Sequence, residues 1–128
     1  MDLVKDTHFS IHVYADIKEG RHDDYRRAAE AAMLHIRSIP DIVYYNYSFS
    51  PDRKKVYIRE GYKNAEAVLH KAKNCREVVD QLMEHSVQTR LECHCTAEDW
   101  AVLGPIVEPY GAIYYEITGS GTFNRAVM

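Results

Sequence analysis

Tyr57-Ile58-Arg59-Glu60-Gly61-Tyr62-Lys63-Asn64-Ala65-Glu66-Ala67-Val68-Leu69-His70 contains a strand that ends in Glu-x-Tyr and runs directly into a helix. The β-branched and aromatic residues up to Tyr62 favour extended backbone. Asn64 is suited to cap a helix starting at Ala65, and Glu66 sits in the first turn, where the helix dipole favours an anion. Ala65, Val68, Leu69 and Ala72 give that helix an apolar side.

Upstream, Ile42 to Ser50 and Lys55 to Tyr62 are two Tyr-rich runs separated by Pro51-Asp52-Arg53-Lys54, which predicts a hairpin with a polar turn. His8 to Asp16 alternates, with His8, Ser10, His12, Tyr14 and Asp16 on one side and Phe9, Ile11, Val13 and Ala15 on the other. Between that strand and the hairpin, Tyr25, Ala29, Ala32, Met33 and Ile36 recur at helical spacing over Arg21 to Ser38, and Pro40 ends the pattern.

Downstream of a break near Lys73-Asn74, Cys75, Val78, Val79, Leu82, Met83 and Ser86 form the buried stripe of a further helix. Thr89 to Thr96 alternates again, with Leu91, Cys93 and Cys95 opposite Arg90, Glu92, His94 and Thr96. The order β-α-β-β-α-β, with its second helix broken, is ferredoxin-like: an α+β domain whose helices cover one face of an antiparallel sheet. Ala97 to Tyr110 adds a short apolar segment around Trp100 to Leu103, broken by Gly104-Pro105. Ala112 to Thr118 reads as a fifth strand, and Gly119-Ser120-Gly121 opens a tail that Phe123 could anchor.

The 128 residues are expected to form a single domain, 1–128, with a core over about 8–118 and a tail over 119–128. A net charge of -3, spread without blocks, argues against nucleic acid as a partner. No apolar run follows Met1, so neither a leader nor a membrane span is expected, and the expected location is cytoplasmic. Cys75, Cys93 and Cys95 then read as free, buried thiols. In Cys93-His94-Cys95 the thiols and the imidazole point to opposite faces, so the triplet does not read as a metal motif. Ten Tyr against three Phe and one Trp supply many rings with a polar tip, suited to a moist pocket or an interface.

The Glu60-x-Tyr62 strand end, followed by Glu66-Ala67 and His70 on the next helix, resembles the antibiotic biosynthesis monooxygenase family of dimeric α+β barrels. That resemblance implies a homodimer whose sheets pack face to face, with the C-terminal strand helping to join the subunits. It also implies oxidation of a small phenolic or quinol-type aromatic molecule by O2 without metal or flavin, so no cofactor and no metal are expected. Such chemistry needs an apolar slot, a group that takes the phenol proton, and exclusion of water.

On that reading the candidate catalytic residues are His12, His70 and Glu60. The candidate substrate contacts are Tyr14, Met33, Tyr44, Asn46, Tyr62, Arg90 and His94. With the first strand between the third and fourth, His12 and His94 become cross-strand neighbours, and with Glu92 they form a weaker candidate metal set. Alternation leaves open which sheet face lines the pocket. Tyr62 stands where the family commonly has Trp, and Asp80 and Gln81 stand near the offset of the haem-degrading branch's axial His, which disfavours haem. The alternative from another class is a non-catalytic dimeric module that binds a small aromatic ligand.

Overall fold

The computed structural model describes residues 9–121. His8 and Phe123 lie outside the described residues, as does the rest of the tail beyond Gly121. The chain runs β1 (Phe9–Ile17), α1 (His22–Ile36), β2 (Ile42–Phe49), β3 (Lys55–Tyr62), α2 (Ala65–Asn74), α3 (Arg76–Glu84), β4 (Ser86–Cys95), α4 (Ala97–Val107) and β5 (Ala112–Glu116). The strands form one sheet in the order β2-β3-β1-β4-β5, which places β1 between β3 and β4 as the ferredoxin-like reading requires.

The alternation of β1 decides which side of the sheet the helices cover. Phe9, Ile11, Ala15 and Ile17 are buried, and the antiparallel register puts Tyr62, Glu60, Ile58 and Val56 of β3 on the same face. Tyr25, Ala29, Ala32 and Ile36 of α1, with Leu82 of α3, close one half of that face. Ala65 and Val68 of α2, with Leu103 of α4, close the other half. Each large side chain fully removed from water there contributes about 1.5–3 kcal/mol. Cys93 and Cys95 face the helices and are fully buried, which pushes both thiols up to about 12. Together with Cys75 they are free, as expected.

The helix that follows the decisive strand starts where its cap dictates. Asn64 has extended backbone, and its side chain accepts from the Ala67 N–H at 3.0 Å. Asn64→Ala is expected to lower stability by about 1 kcal/mol in a denaturant titration. An unchanged midpoint would contradict the capping role. The break between α2 and α3 falls at Cys75, whose N–H still bonds to the Lys71 carbonyl while its thiol is buried in the core.

The segment after β4 differs from the sequence reading. Ala97–Val107 is a full helix, capped by the Thr96 side chain at the Asp99 N–H, and Gly104-Pro105 lies inside it. A Cβ at Gly104 would come within 2.8 Å of the Trp100 indole, so the glycine is the seat of that ring. Trp100 in turn stacks on Tyr114 of β5 at 4.5 Å. This helical crossover brings the chain back in the direction of β4, so β5 pairs parallel to it and the sheet is mixed, not purely antiparallel.

Candidate active site

Between the helices and the sheet lies a cavity of about 230 Å³. Ile11, Val13, Ile58, Val68, Val79 and Leu91 make its walls predominantly apolar. Met83, 53% exposed, and Gln88 lie at its solvent end. Besides Ser86 and Gln88 of β4, polar side chains reach it from four other elements: Tyr25 from α1, Tyr45 from β2, Glu60 and Tyr62 from β3, and Lys71 from α2.

Glu60 is the sole buried charged residue among those described, at 4% exposure. Its position follows from register, because it sits opposite Ile11 on β1 and Tyr45 on β2, both directed at the helices. Burying a carboxylate costs several kcal/mol unless it is compensated. Tyr62 Oη donates to Glu60 Oε1, and Lys71 Nζ stands 3.5 Å from the same oxygen. Both contacts are made through Oε1, which leaves Oε2 for a further donor.

Lys71 is itself only 12% exposed, and its ammonium lies 5.5 Å from the centre of the Tyr45 ring. Burial, and then the negative charge of Glu60, hold the Tyr45 and Tyr62 hydroxyls well above their ordinary pKa. Burial also raises that of Tyr25. All three are therefore neutral donors at physiological pH. A hidden carboxylate with one free oxygen, steadied by Tyr62, a cation beside it and the hydroxyls of Tyr25 and Tyr45 in an apolar chamber suit the binding and deprotonation of a small hydroxylated molecule.

The other sheet face carries a second polar cluster. His12 Nδ1 and Tyr57 Oη are 2.5 Å apart, and Ser10 Oγ lies 3.1 Å from His12 Nε2. The His12 and His94 rings are 4.4 Å apart, although in register His12 faces Glu92 and Ser10 faces His94. Glu92 Oε1 accepts from His94 at 2.9 Å and Glu92 Oε2 from Arg90 at 2.5 Å, while Arg90 also donates to Tyr115 Oη. The Arg90 and His94 bonds hold the Glu92 carboxyl below its usual range.

The candidate residues thus separate. Glu60 and Tyr62 line the cavity. His12, Tyr14, Arg90 and His94 share the opposite face, as do Tyr44, packed on the Arg59 guanidinium at 4.7 Å, and Asn46. His70 is exposed on α2, Met33 is half-buried on α1, and neither lines the cavity. His12, His94 and Glu92 come together, but no group of three or more His, Cys, Asp or Glu side chains arranged to hold a metal occurs among the described residues. Lys71, Tyr25 and Tyr45 were not singled out in the sequence. For Lys71 a signal existed, since it lies one turn beyond Val68 on the buried stripe of α2.

The sheet-face histidines predict a pH effect on stability. Burial lowers the pKa of His12, the His94 imidazole and the Arg59 guanidinium lower it further, and Glu92 opposes them. The folded state then resists a proton that the unfolded chain accepts, so stability is complete above about pH 6.5 and falls as the pH drops below it. Urea titrations at pH 7.5 and pH 5 are expected to show a smaller acid-induced loss for His12→Asn than for the wild type. Equal losses would contradict the assignment.

No family model matches the sequence, and no curated protein matches it. Solved structures do. MupZ from Pseudomonas fluorescens is 19% identical and superposes with a TM-score of 0.85 over 94% of this chain and 96% of its own. A structure named antibiotic biosynthesis monooxygenase is 15% identical, with a TM-score of 0.59 over 66% of this chain and 94% of its own. A mutant of SnoaB from Streptomyces nogalater, named a cofactor-independent oxygenase, is 9% identical, with a TM-score of 0.60 over 67% of this chain and 91% of its own. At these identities the likeness establishes the architecture, and the chain has the fold of the antibiotic biosynthesis monooxygenases that the strand-to-helix residues 57–70 resemble.

Proposed function

We propose that the helix-side cavity is the active site of a cofactor-independent monooxygenase that oxidises a small phenolic or quinol-type aromatic molecule with O2. The observation that carries this reading is the buried Glu60 carboxylate, whose Oε2 is left for a donor inside a predominantly apolar chamber. A phenol entering past Met83 places its hydroxyl on that oxygen and its ring against Ile58, Val68 and Leu91. Hydrogen bonding to a carboxylate makes the ring a better electron donor, and the dry walls protect reactive intermediates from water. Tyr45, neutral, stands beside the substrate oxygen, while Tyr62, whose one proton goes to Glu60 Oε1, holds the carboxylate in place. In outline, an aromatic C–H and O2 become a quinone carbonyl and water, so that 1-naphthol plus O2 gives a naphthoquinone plus H2O.

His12 and His94 take no part in this step, because they lie across the sheet. The open sheet face they occupy is assigned to pairing with a second copy of the chain, a homodimer that light scattering would register as twice the monomer mass.

Oxygen uptake by chelator-treated protein tests the activity, with hydroquinones, catechols and hydroxylated naphthalenes as substrates and spontaneous oxidation subtracted. Protein-dependent uptake with a quinone product is the expected result. Binding without uptake would favour the non-catalytic aromatic-binding module, and neither binding nor uptake would remove the cavity from consideration.

A further inference from the structure

We infer that Lys71 is the counter-ion against which the cavity reduces O2, a catalytic role that rests on the oxygenase reading above. Three observations converge on it. Lys71 lines the cavity, its Nζ stands 3.5 Å from the buried Glu60 Oε1, and it is almost removed from water. Besides Glu60, the ammonium meets the face of Tyr45 at 5.5 Å, a contact that holds a cation without neutralising it.

The charge balance of the proposed step explains why a cation belongs there. In the resting cavity the Glu60 carboxylate and the Lys71 ammonium neutralise each other. When a bound phenol gives one electron to O2, its hydroxyl proton moves to Glu60 Oε2. The products are a neutral phenoxyl radical, a neutral carboxylic acid and superoxide. Glu60 has thereby lost its negative charge at the moment O2 acquires one, and Lys71 changes partner from carboxylate to superoxide. The chamber holds one positive and one negative charge before and after, so the step creates no unpaired buried charge.

The radicals then combine, forming one C–O bond, and Glu60 returns its proton to the peroxide. Loss of the hydrogen on that carbon and cleavage of the O–O bond release water and leave the carbonyl. A positive charge fixed where an oxygen anion develops, in a site with little water, acts as an oxyanion hole does. Without Lys71, electron transfer would leave superoxide facing apolar walls.

Lys71→Gln keeps a polar head beside Glu60 but removes the charge. Its kcat/KM for O2 is expected to fall by on the order of 10²-fold, with the KM for the phenol nearly unchanged and partial recovery in Lys71→Arg. A lysine that only supports the fold would lower stability and phenol binding while leaving the dependence on O2 concentration as it was. A second readout needs no turnover. Titrated anaerobically by absorbance, bound 4-nitrophenol should ionise at higher pH in Lys71→Gln than in wild type, because the neighbouring cation is gone. Wild-type uptake of O2 that Lys71→Gln retains, with coincident nitrophenol titrations, overturns this assignment alone. Absence of uptake by the wild type overturns the oxygenase reading and the assignment together.

Discussion

Glu60→Gln is expected to lower protein-dependent oxidation of a phenol by about 10²- to 10⁴-fold while the protein still folds and binds the ring. The amide oxygen of Gln can accept from Tyr62, so the buried hydroxyl keeps its partner. What is lost is the group that takes the proton as the electron leaves the ring. The variant also leaves Lys71 without its anion, which lowers stability but keeps the cation in the cavity. Circular dichroism and 4-nitrophenol binding separate these effects. Oxidation unchanged in a folded Glu60→Gln protein would remove the carboxylate from the mechanism.

The largest effect on stability is expected from Tyr25→Ala, at roughly 3–5 kcal/mol, by analogy with truncation of other buried aromatic residues. Tyr25 is 1% exposed and joins α1 to the sheet through edge-to-face contacts with Tyr47 at 6.5 Å and Phe49 at 6.0 Å, while forming part of the cavity wall. For a domain whose total stability is about 5–15 kcal/mol, such a loss is severe. Tyr25→Phe keeps the ring contacts and is expected to stay close to wild type. Denaturant titration of the pair tests this. A Tyr25→Ala midpoint equal to that of Tyr25→Phe would show that the ring does not hold α1 to β2.

Much of the fold was legible from simple periodicity. The clean alternation of Phe9 to Asp16 and of Arg90 to Cys95 assigns each side chain to a face, and the buried thiols of Cys93 and Cys95 follow from it. α4 was not legible because Gly104-Pro105 ordinarily signals a break. In the structure Pro105 lies near the end of the helix, and Gly104 makes room for the Trp100 ring. Neither fact is visible before the packing is known.

The candidate site was legible in part. Glu60 and Tyr62 were marked by the strand-to-helix pattern, and the closeness of His12 and His94 followed from strand order. Among the tyrosines of β2, Tyr45 was missed as a cavity residue. In Ile42-Val43-Tyr44-Tyr45-Asn46-Tyr47, aromatic residues occupy both phases, and the register shifts between Ile42 and Tyr44. The polar phase of Tyr44, Asn46 and Ser48 still marks the face away from the helices, as the register places it, but nothing in the sequence marks Tyr45 of the other phase as a cavity group. Alternation also cannot say which face of a sheet is hollow, since that depends on how far α1, α2 and α3 stand off from it.

The location of the site is tested most directly by a crystal structure of the protein soaked with 4-nitrophenol. The expected density places the ring in the helix-side cavity, with its hydroxyl about 2.6–3.2 Å from Glu60 Oε2 and the Lys71 ammonium nearby. A ring seated instead on the open sheet face against His12 and His94, with the cavity unoccupied, would contradict the assignment of the active site.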